Sequence, residues 1–114
     1  MESILTSIKK MLGIAEEYEH FDADLISHIN SAFMVLTQLG VGPAEGYVIS
    51  NKSNTWDEFL EDETKLAAVK TYMHKKVGLF FDPPTGSALM DATKSVVNEL
   101  EWRLNVEAET PTTE

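Results

Sequence analysis

The three histidines are the first side chains in this sequence that could bind a metal ion or transfer a proton near neutral pH. His20, His28 and His74 stand eight and forty-six positions apart. No two histidines lie three or four positions apart, the spacing that would place both on one helix face as metal ligands. Scattered surface histidines are the better interpretation, so the sequence predicts no metal site.

The acidic cluster Glu61, Asp62 and Glu63 could hold a cation, but it lacks the spaced ligands and the glycine of a calcium-binding loop. We interpret it as a solvated turn. The sequence also has no nucleophile-elbow, P-loop or dinucleotide-binding motif, and the segment from Gly40 to Gly42 is a turn rather than a phosphate cradle. We therefore predict no catalytic residue, no cofactor and no enzymatic activity.

Trp102 and Trp56 suit a contact between proteins, because aromatic side chains on a polar face are enriched where one protein buries another. Either tryptophan could instead cover the edge of its own core. Tyr72 and Leu79 leave a similar pair of alternatives open: each could belong to a second core layer or to an interface. The candidate residues for a contact with another subunit or a partner are Trp102, Tyr72, Leu79, Trp56, Tyr47 and Val106.

Hydrophobic periodicity predicts that helices position these residues. A first helix is expected over residues 3–12, with Gly13 as its left-handed C-cap. A second helix should begin at Asp22, a good N-cap, and end at Gly40. Between them, the acidic residues Glu16, Glu17 and Glu19 mark an exposed link.

Residues 40–54 contain so many glycines, prolines and asparagines that they predict the longest loop of the chain. Within it, Tyr47, Val48 and Ile49 could form one short extended segment. Thr55 followed by Glu58 is a capping box, which predicts a short helix carrying Trp56.

A fourth helix is predicted from residue 64 to 81, where Pro83 and Pro84 forbid its continuation. It is apolar on two sides, so we expect it to lie centrally or to carry an intersubunit contact. A fifth helix should begin near Thr85 or Ser87 and run to about Ala108. The expected core stripes are Leu66, Val69, Met73, Val77 and Phe80 in the fourth helix and Leu89, Ala92, Val96, Leu100 and Leu104 in the fifth, with Trp102 and Val106 on the other face.

Together these patterns predict an all-α fold, a small bundle of about four to five helices with one long loop at residues 40–54. At 114 residues the chain is long enough for one core. We expect a single domain over residues 1–108 and a flexible tail over residues 109–114. The chain has no cysteine, no signal-peptide pattern and no apolar run near the roughly 20 residues of a membrane span, so we expect a soluble protein without membrane contact.

The formal net charge is −10, from nineteen acidic and nine basic residues. Tight binding to a phosphate backbone depends on Lys and Arg and is therefore not expected. Solubility is the commonest reason for such a charge, but it also suits a surface that passes or mimics DNA without gripping it.

The order of several short segments resembles one known family. A lysine- and aromatic-containing helix from Val69 ends in Phe81-Asp82-Pro83-Pro84, and a final helix contains Leu100-Glu101-Trp102-Arg103-Leu104-Asn105. Before these stand His20-Phe21-Asp22 and Thr55-Trp56-Asp57-Glu58-Phe59. The chain is similar along essentially its whole length to the bacteriophage head-tail connector, or head completion adaptor, family. No single motif is diagnostic, so the specificity of the resemblance lies in the order of the segments.

The resemblance implies a structural virion protein at the head-tail junction, synthesised in the cytoplasm of the host bacterium. It implies a dodecameric ring of this chain, docked on the portal protein and meeting a tail-side stopper or tail completion protein. DNA would pass through the channel of the ring without specific binding. The alternative from another class is a small acidic DNA mimic that inhibits a DNA-processing protein.

Overall fold

The computed structural model describes residues 2–109, which form five helices. They are α1 (Ile4–Met11), α2 (Asp22–Gln38), α3 (Trp56–Phe59), α4 (Glu63–Phe81) and α5 (Ser87–Glu109). Within residues 2–109 the only β-type pairing is an isolated bridge between Ser3 and Thr55. The predicted all-α fold is confirmed. Glu109 ends α5, and the remainder of the predicted tail lies outside the described residues.

Helix α4 lies at the centre because it is apolar on two faces. One face buries Leu66, Val69, Met73 and Val77, and α4 packs there against α2 and α1. The other face carries Tyr72 against α5. Helices α2 and α5 contact each other far less than either contacts α4. The central position predicted from two apolar faces is thus observed, and α4 separates an α2 side from an α5 side.

The helix ends follow from local side-chain chemistry. Ser3 Oγ accepts a hydrogen bond from the Thr6 amide at 3.2 Å, and Gly13 adopts the left-handed conformation with φ of 79° after α1. Asp62 caps α4 by accepting hydrogen bonds from the Thr64 and Lys65 amides. The predicted capping box between Thr55 and Glu58 opens α3.

Lys9 is a buried cation that ties α1 to the link before α2. Its side chain is 2% exposed, and Nζ donates to the carbonyl oxygens of Glu16 at 2.8 Å and Tyr18 at 2.7 Å. Nζ also lies 2.8 Å from Asp22 Oδ1. The prediction that Asp22 is the N-cap of α2 is wrong, because Phe21 occupies the cap position and the Asp22 carboxylate turns to Lys9 instead.

The loop over residues 40–54 is held on α2 by one asparagine. Asn30 donates through Nδ2 to the Ile49 carbonyl oxygen at 3.0 Å and accepts from the Ile49 amide at 2.8 Å. Ile49 is buried at this point. The segment from Tyr47 to Ile49 forms no strand, and the backbone groups of Ile49 bond the Asn30 side chain rather than a neighbouring strand.

Two predicted core stripes are partly wrong. Phe80 is 55% exposed at the end of α4, where its ring stacks on His28 with centroids 5.6 Å apart. On α5 the buried residues are Val97 and Leu104, and Leu89 is 61% exposed. Ala92 and Val96 are also exposed, whereas Leu100 is half-buried. The face of α5 that meets α4 is therefore rotated from the expected one.

No helix within residues 2–109 combines the length and the apolar character needed to cross a membrane.

Candidate interaction surface

The candidate functional features of the structure are a groove and an exposed helix face. Among residues 2–109, no three His, Cys, Asp or Glu side chains converge so that they could hold a metal ion. His74 is half-buried in α4, and burial lowers its pKa. His20 and His28 lie against the aromatic rings of Phe21 and Phe80.

A groove of about 720 Å³ runs between the outer face of α2 and the loop at residues 45–48. Two exposed apolar side chains line it, Met34 of α2 at 59% and Val48 of the loop at 63%. The remaining lining residues are mostly small or uncharged: Ser27, Asn30, Ser31, Thr37, Gln38, Glu45, Gly46 and Tyr47. We call this surface the α2 groove. Its volume falls in the range of roughly 300–1,000 Å³ that is usual for binding clefts.

Tyr47 fixes the loop wall of the α2 groove. Its ring packs on Phe33 and Phe59, and its hydroxyl donates to Glu58 Oε1 at 2.8 Å. Burial, together with the neighbouring Glu58 carboxylate, raises the pKa of Tyr47. Hydrogen bonds from Tyr47, Asn54 and the Thr55 amide lower the pKa of Glu58 below its usual value. The charged carboxylate therefore joins the loop to the start of α3.

Trp102 projects from α5 on the face turned away from α4. Its side chain is 63% exposed. Ser95 lies two helical turns earlier on the same face, and Val106, 40% exposed, lies one turn later. The neighbouring Glu99 is ion-paired with Arg103 at 2.9 Å. We call this surface the Trp102 face, and the sequence prediction that Trp102 and Val106 project away from the core is confirmed.

Trp56 and Tyr72 do not lie on the surface. Trp56 is fully buried beside Phe33, with Lys70 Nζ 5.6 Å from the centroid of its ring. Tyr72 is fully buried and donates to Glu101 Oε2 at 2.8 Å, and burial raises its pKa. Of the two alternatives that the sequence left open, both side chains take the core position, because α3 folds beneath the loop and α5 covers Tyr72.

The other candidates occupy intermediate positions. Leu79 is half-buried in a shallow pocket with Leu12, Gly78 and Thr93. Of the six predicted contact residues, the structure places Tyr47 in the α2 groove and both Trp102 and Val106 on the Trp102 face. It does not bring these two surfaces together within one copy of the chain.

Sequence reasoning missed the two residues that give the α2 groove its apolar character. Met34 falls outside the buried stripe of α2, so an apolar side chain at that position was a signal that could have been used. Val48 gave no such signal, because its exposure depends on how Asn30 holds Ile49.

The fold and these surfaces define a small all-α protein that exposes apolar side chains in the α2 groove and on the Trp102 face, besides Tyr18, Phe80, Leu89 and Val96 elsewhere. A family model described as Phage connector protein matches residues 4–111. The chain therefore belongs to the phage connector protein family, a family of structural proteins of the phage head-tail connector. No curated protein and no solved structure matches the chain significantly.

Proposed function

We propose that this chain assembles as a ring at the head-tail junction of the phage, docks on the portal protein and extends the DNA channel toward the tail. The observation that carries the proposal is the family match over residues 4–111, which spans nearly the whole chain. Its further partners are a tail-side stopper or tail completion protein and other copies of itself. Its site of action is the virion, after synthesis in the cytoplasm of the host bacterium.

The exposed apolar surfaces support an assembling role. Met34, Val48 and Trp102 are each more than half exposed in the single chain. Exposed apolar groups in a groove or on one face favour burial against another protein. We propose that Trp102, Val106, Tyr47 and Leu79 lie at subunit or partner contacts. Trp56 and Tyr72 support these contacts from within the core.

The charge of the chain supports a channel that DNA passes without binding. A ring of twelve copies, each of charge −10, would carry on the order of a hundred negative charges. Such a ring repels the phosphate backbone rather than holding it. A DNA mimic would need a row of carboxylates on one face, whereas the described carboxylates are spread over the first link, the start of α4 and α5. This spread of carboxylates does not suit a DNA mimic, and together with the family match it favours the connector role.

The decisive experiment measures the mass of the full chain, alone and mixed with the phage portal protein, by light scattering after size exclusion. We expect a ring-sized complex that depends on the portal. A chain that stays monomeric beside the portal but binds a DNA-processing enzyme would support the mimic instead. Virions made without this gene should have filled heads that lack attached tails, and normal tailed virions would contradict the proposal.

A further inference from the structure

The α2 groove and the Trp102 face differ in shape, so each is a better complement to the other than to a copy of itself. The groove is concave, with Met34 and Val48 exposed along it. The Trp102 face is convex, with an indole ring 63% exposed on a helix. A contact between two copies that uses both surfaces must place the groove of one against the face of the other.

The chemistry of the two surfaces is complementary. An indole ring buries roughly 150–250 Å² of mostly apolar area, and its N–H needs an acceptor when it is buried. The α2 groove supplies apolar area from Val48 and a thioether from Met34, which contacts aromatic rings favourably. It also supplies acceptor oxygens from Gln38 and Glu45.

The two surfaces carry few charges at their centres, which matters in a chain of net charge −10 because its copies repel one another. Glu45 is the one charged residue among those lining the groove. Beside Trp102, Glu99 is paired with Arg103 at 2.9 Å, whereas the carboxylates of Asp91 and Glu109 lie two to three turns away along the same stripe of α5. Repulsion between copies is therefore weakest next to Trp102 itself.

The two surfaces lie on different sides of the chain and can be occupied at the same time. Helix α4 packs against both α2 and α5 and lies between them. Asn105 reaches the backbone only beyond the end of α2, where its Nδ2 donates to the Leu39 carbonyl oxygen at 3.2 Å. Met34 lies about 140° around α2 from the buried Ile29, at about 100° per residue. The α2 groove thus opens away from the core and from α5, and each copy has room for one neighbour at each surface.

We propose that the Trp102 face of one copy inserts into the α2 groove of the next, so that the copies join head to tail. Such a heterologous contact produces a ring when the rotation between neighbours closes, and an open filament when it does not. This inference rests on the proposed function, in which several copies surround one channel. It adds which two surfaces meet and which residue is inserted.

Cross-linking of single-cysteine variants tests the pairing directly, because the natural chain has no cysteine. Ser31→Cys marks the groove and Ser95→Cys marks the Trp102 face, both at exposed positions. The two variants are mixed under conditions in which light scattering shows assembly, and a short bismaleimide is added.

We expect covalent dimers in the mixture and none from either variant alone. A double variant should give a ladder of larger species. Lys52→Cys, at an exposed loop position outside the groove, is the control that should not link to Ser95→Cys.

Substitution of the inserted residue gives an independent measurement. Trp102→Ala should weaken association of copies at least about tenfold, as expected for a central aromatic contact. Leu89→Ala is the matched control, since Leu89 is equally exposed on α5 but about 140° around the helix. Thermal unfolding should be nearly unchanged in both variants. Equal effects of the two variants on association would overturn the inference.

The outcomes separate the inference from the proposed function. If rings form on the portal but groove-to-face cross-links are absent, or each variant links to itself, the pairing is wrong and the connector role stands. If the cross-links form but the protein is missing from virions, the pairing stands and the connector role fails. A wild-type chain that remains monomeric even with the portal overturns both.

Discussion

At the scale of single residues, two groups of buried or half-buried polar side chains join separate segments of the described chain. Lys9 connects α1 to two carbonyl groups of the following link and to the start of α2. Tyr72 and Lys76 of α4 both reach Glu101 of α5. A buried charge or hydroxyl is costly when it loses its partner, so each of these groups has a measurable effect on stability.

Replacing Lys9 with methionine should lower the free energy of unfolding by about 2–4 kcal/mol, because Asp22 and two carbonyl groups lose their cation. Urea denaturation measures the loss. Lys10→Met is the matched control, since Lys10 is 63% exposed and lies 3.6 Å from Glu2 in a surface ion pair. It should change stability by less than about 1 kcal/mol. Equal losses in the two variants would contradict the role given to Lys9.

Tyr72→Phe removes one buried hydroxyl and keeps the ring. Glu101 Oε2 then retains Lys76 Nζ at 3.2 Å but loses the bond from Tyr72 at 2.8 Å. We expect a loss of about 1–2 kcal/mol in the free energy of unfolding. Tyr18→Phe, at a half-exposed position, should be nearly neutral in the same denaturation experiment. A neutral Tyr72→Phe would mean that the link to α5 contributes little.

At the scale of elements, the loop over residues 40–54 shows how backbone conformation and packing combine. Gly42 has a φ of 85°, and a Cβ added there would overlap the ring of Phe59, which is buried in the core. Gly13 has a φ of 79°, but a Cβ there would meet open space. The two glycines share a left-handed backbone and differ in what surrounds them.

Gly42→Ala should therefore destabilise the chain more than Gly13→Ala. The Gly13 variant carries the left-handed strain of roughly 1 kcal/mol. The Gly42 variant adds the displacement of Phe59, with an expected total of about 2–4 kcal/mol. Thermal unfolding of the two variants provides the comparison. Equal melting temperatures would show that Phe59 moves aside without cost.

Most helix boundaries could be predicted from the sequence because caps and breakers are local. Gly13 and the two prolines after Asp82 end their helices near the expected residues. The sequence did not show which side of α5 packs against α4. Leu89 and Val96 form one apolar side of the helix, and Val97 belongs to the adjacent apolar side. Periodicity alone cannot choose between two apolar sides, and packing against α4 selected the Val97 side. The sequence could not decide whether Trp56 lies in the core or at a contact, because a one-turn helix has no periodicity that shows its buried side.

At the scale of the whole molecule, the net charge and the exposed apolar surface have opposite effects on self-association. The charge of −10 makes copies of the chain repel one another, while the α2 groove and the Trp102 face favour contact. Repulsion between solvent-exposed charges is screened by salt, with a Debye length of about 10 Å at 0.1 M. Apolar contacts are not weakened by such screening.

Raising sodium chloride from about 0.05 M to about 0.5 M should therefore increase self-association at a fixed protein concentration. Sedimentation or light scattering measures the average mass across the series. Trp102→Ala provides the comparison, because it keeps the charge and removes the proposed contact. Assemblies that dissolve as salt rises would instead indicate that ion pairs hold the copies together.

The shallow attachment of α5 has a consequence for the motions of the free chain. Val97 and Leu104 are the only buried residues of this 23-residue helix. Helix α4 holds five buried residues and is covered from two sides. Backbone amides of α5 should then exchange their hydrogens with solvent through local opening events that leave α4 intact. Covering the Trp102 face would suppress those openings. Contact with a neighbouring copy would therefore raise the local stability of α5 above its value in the single subunit.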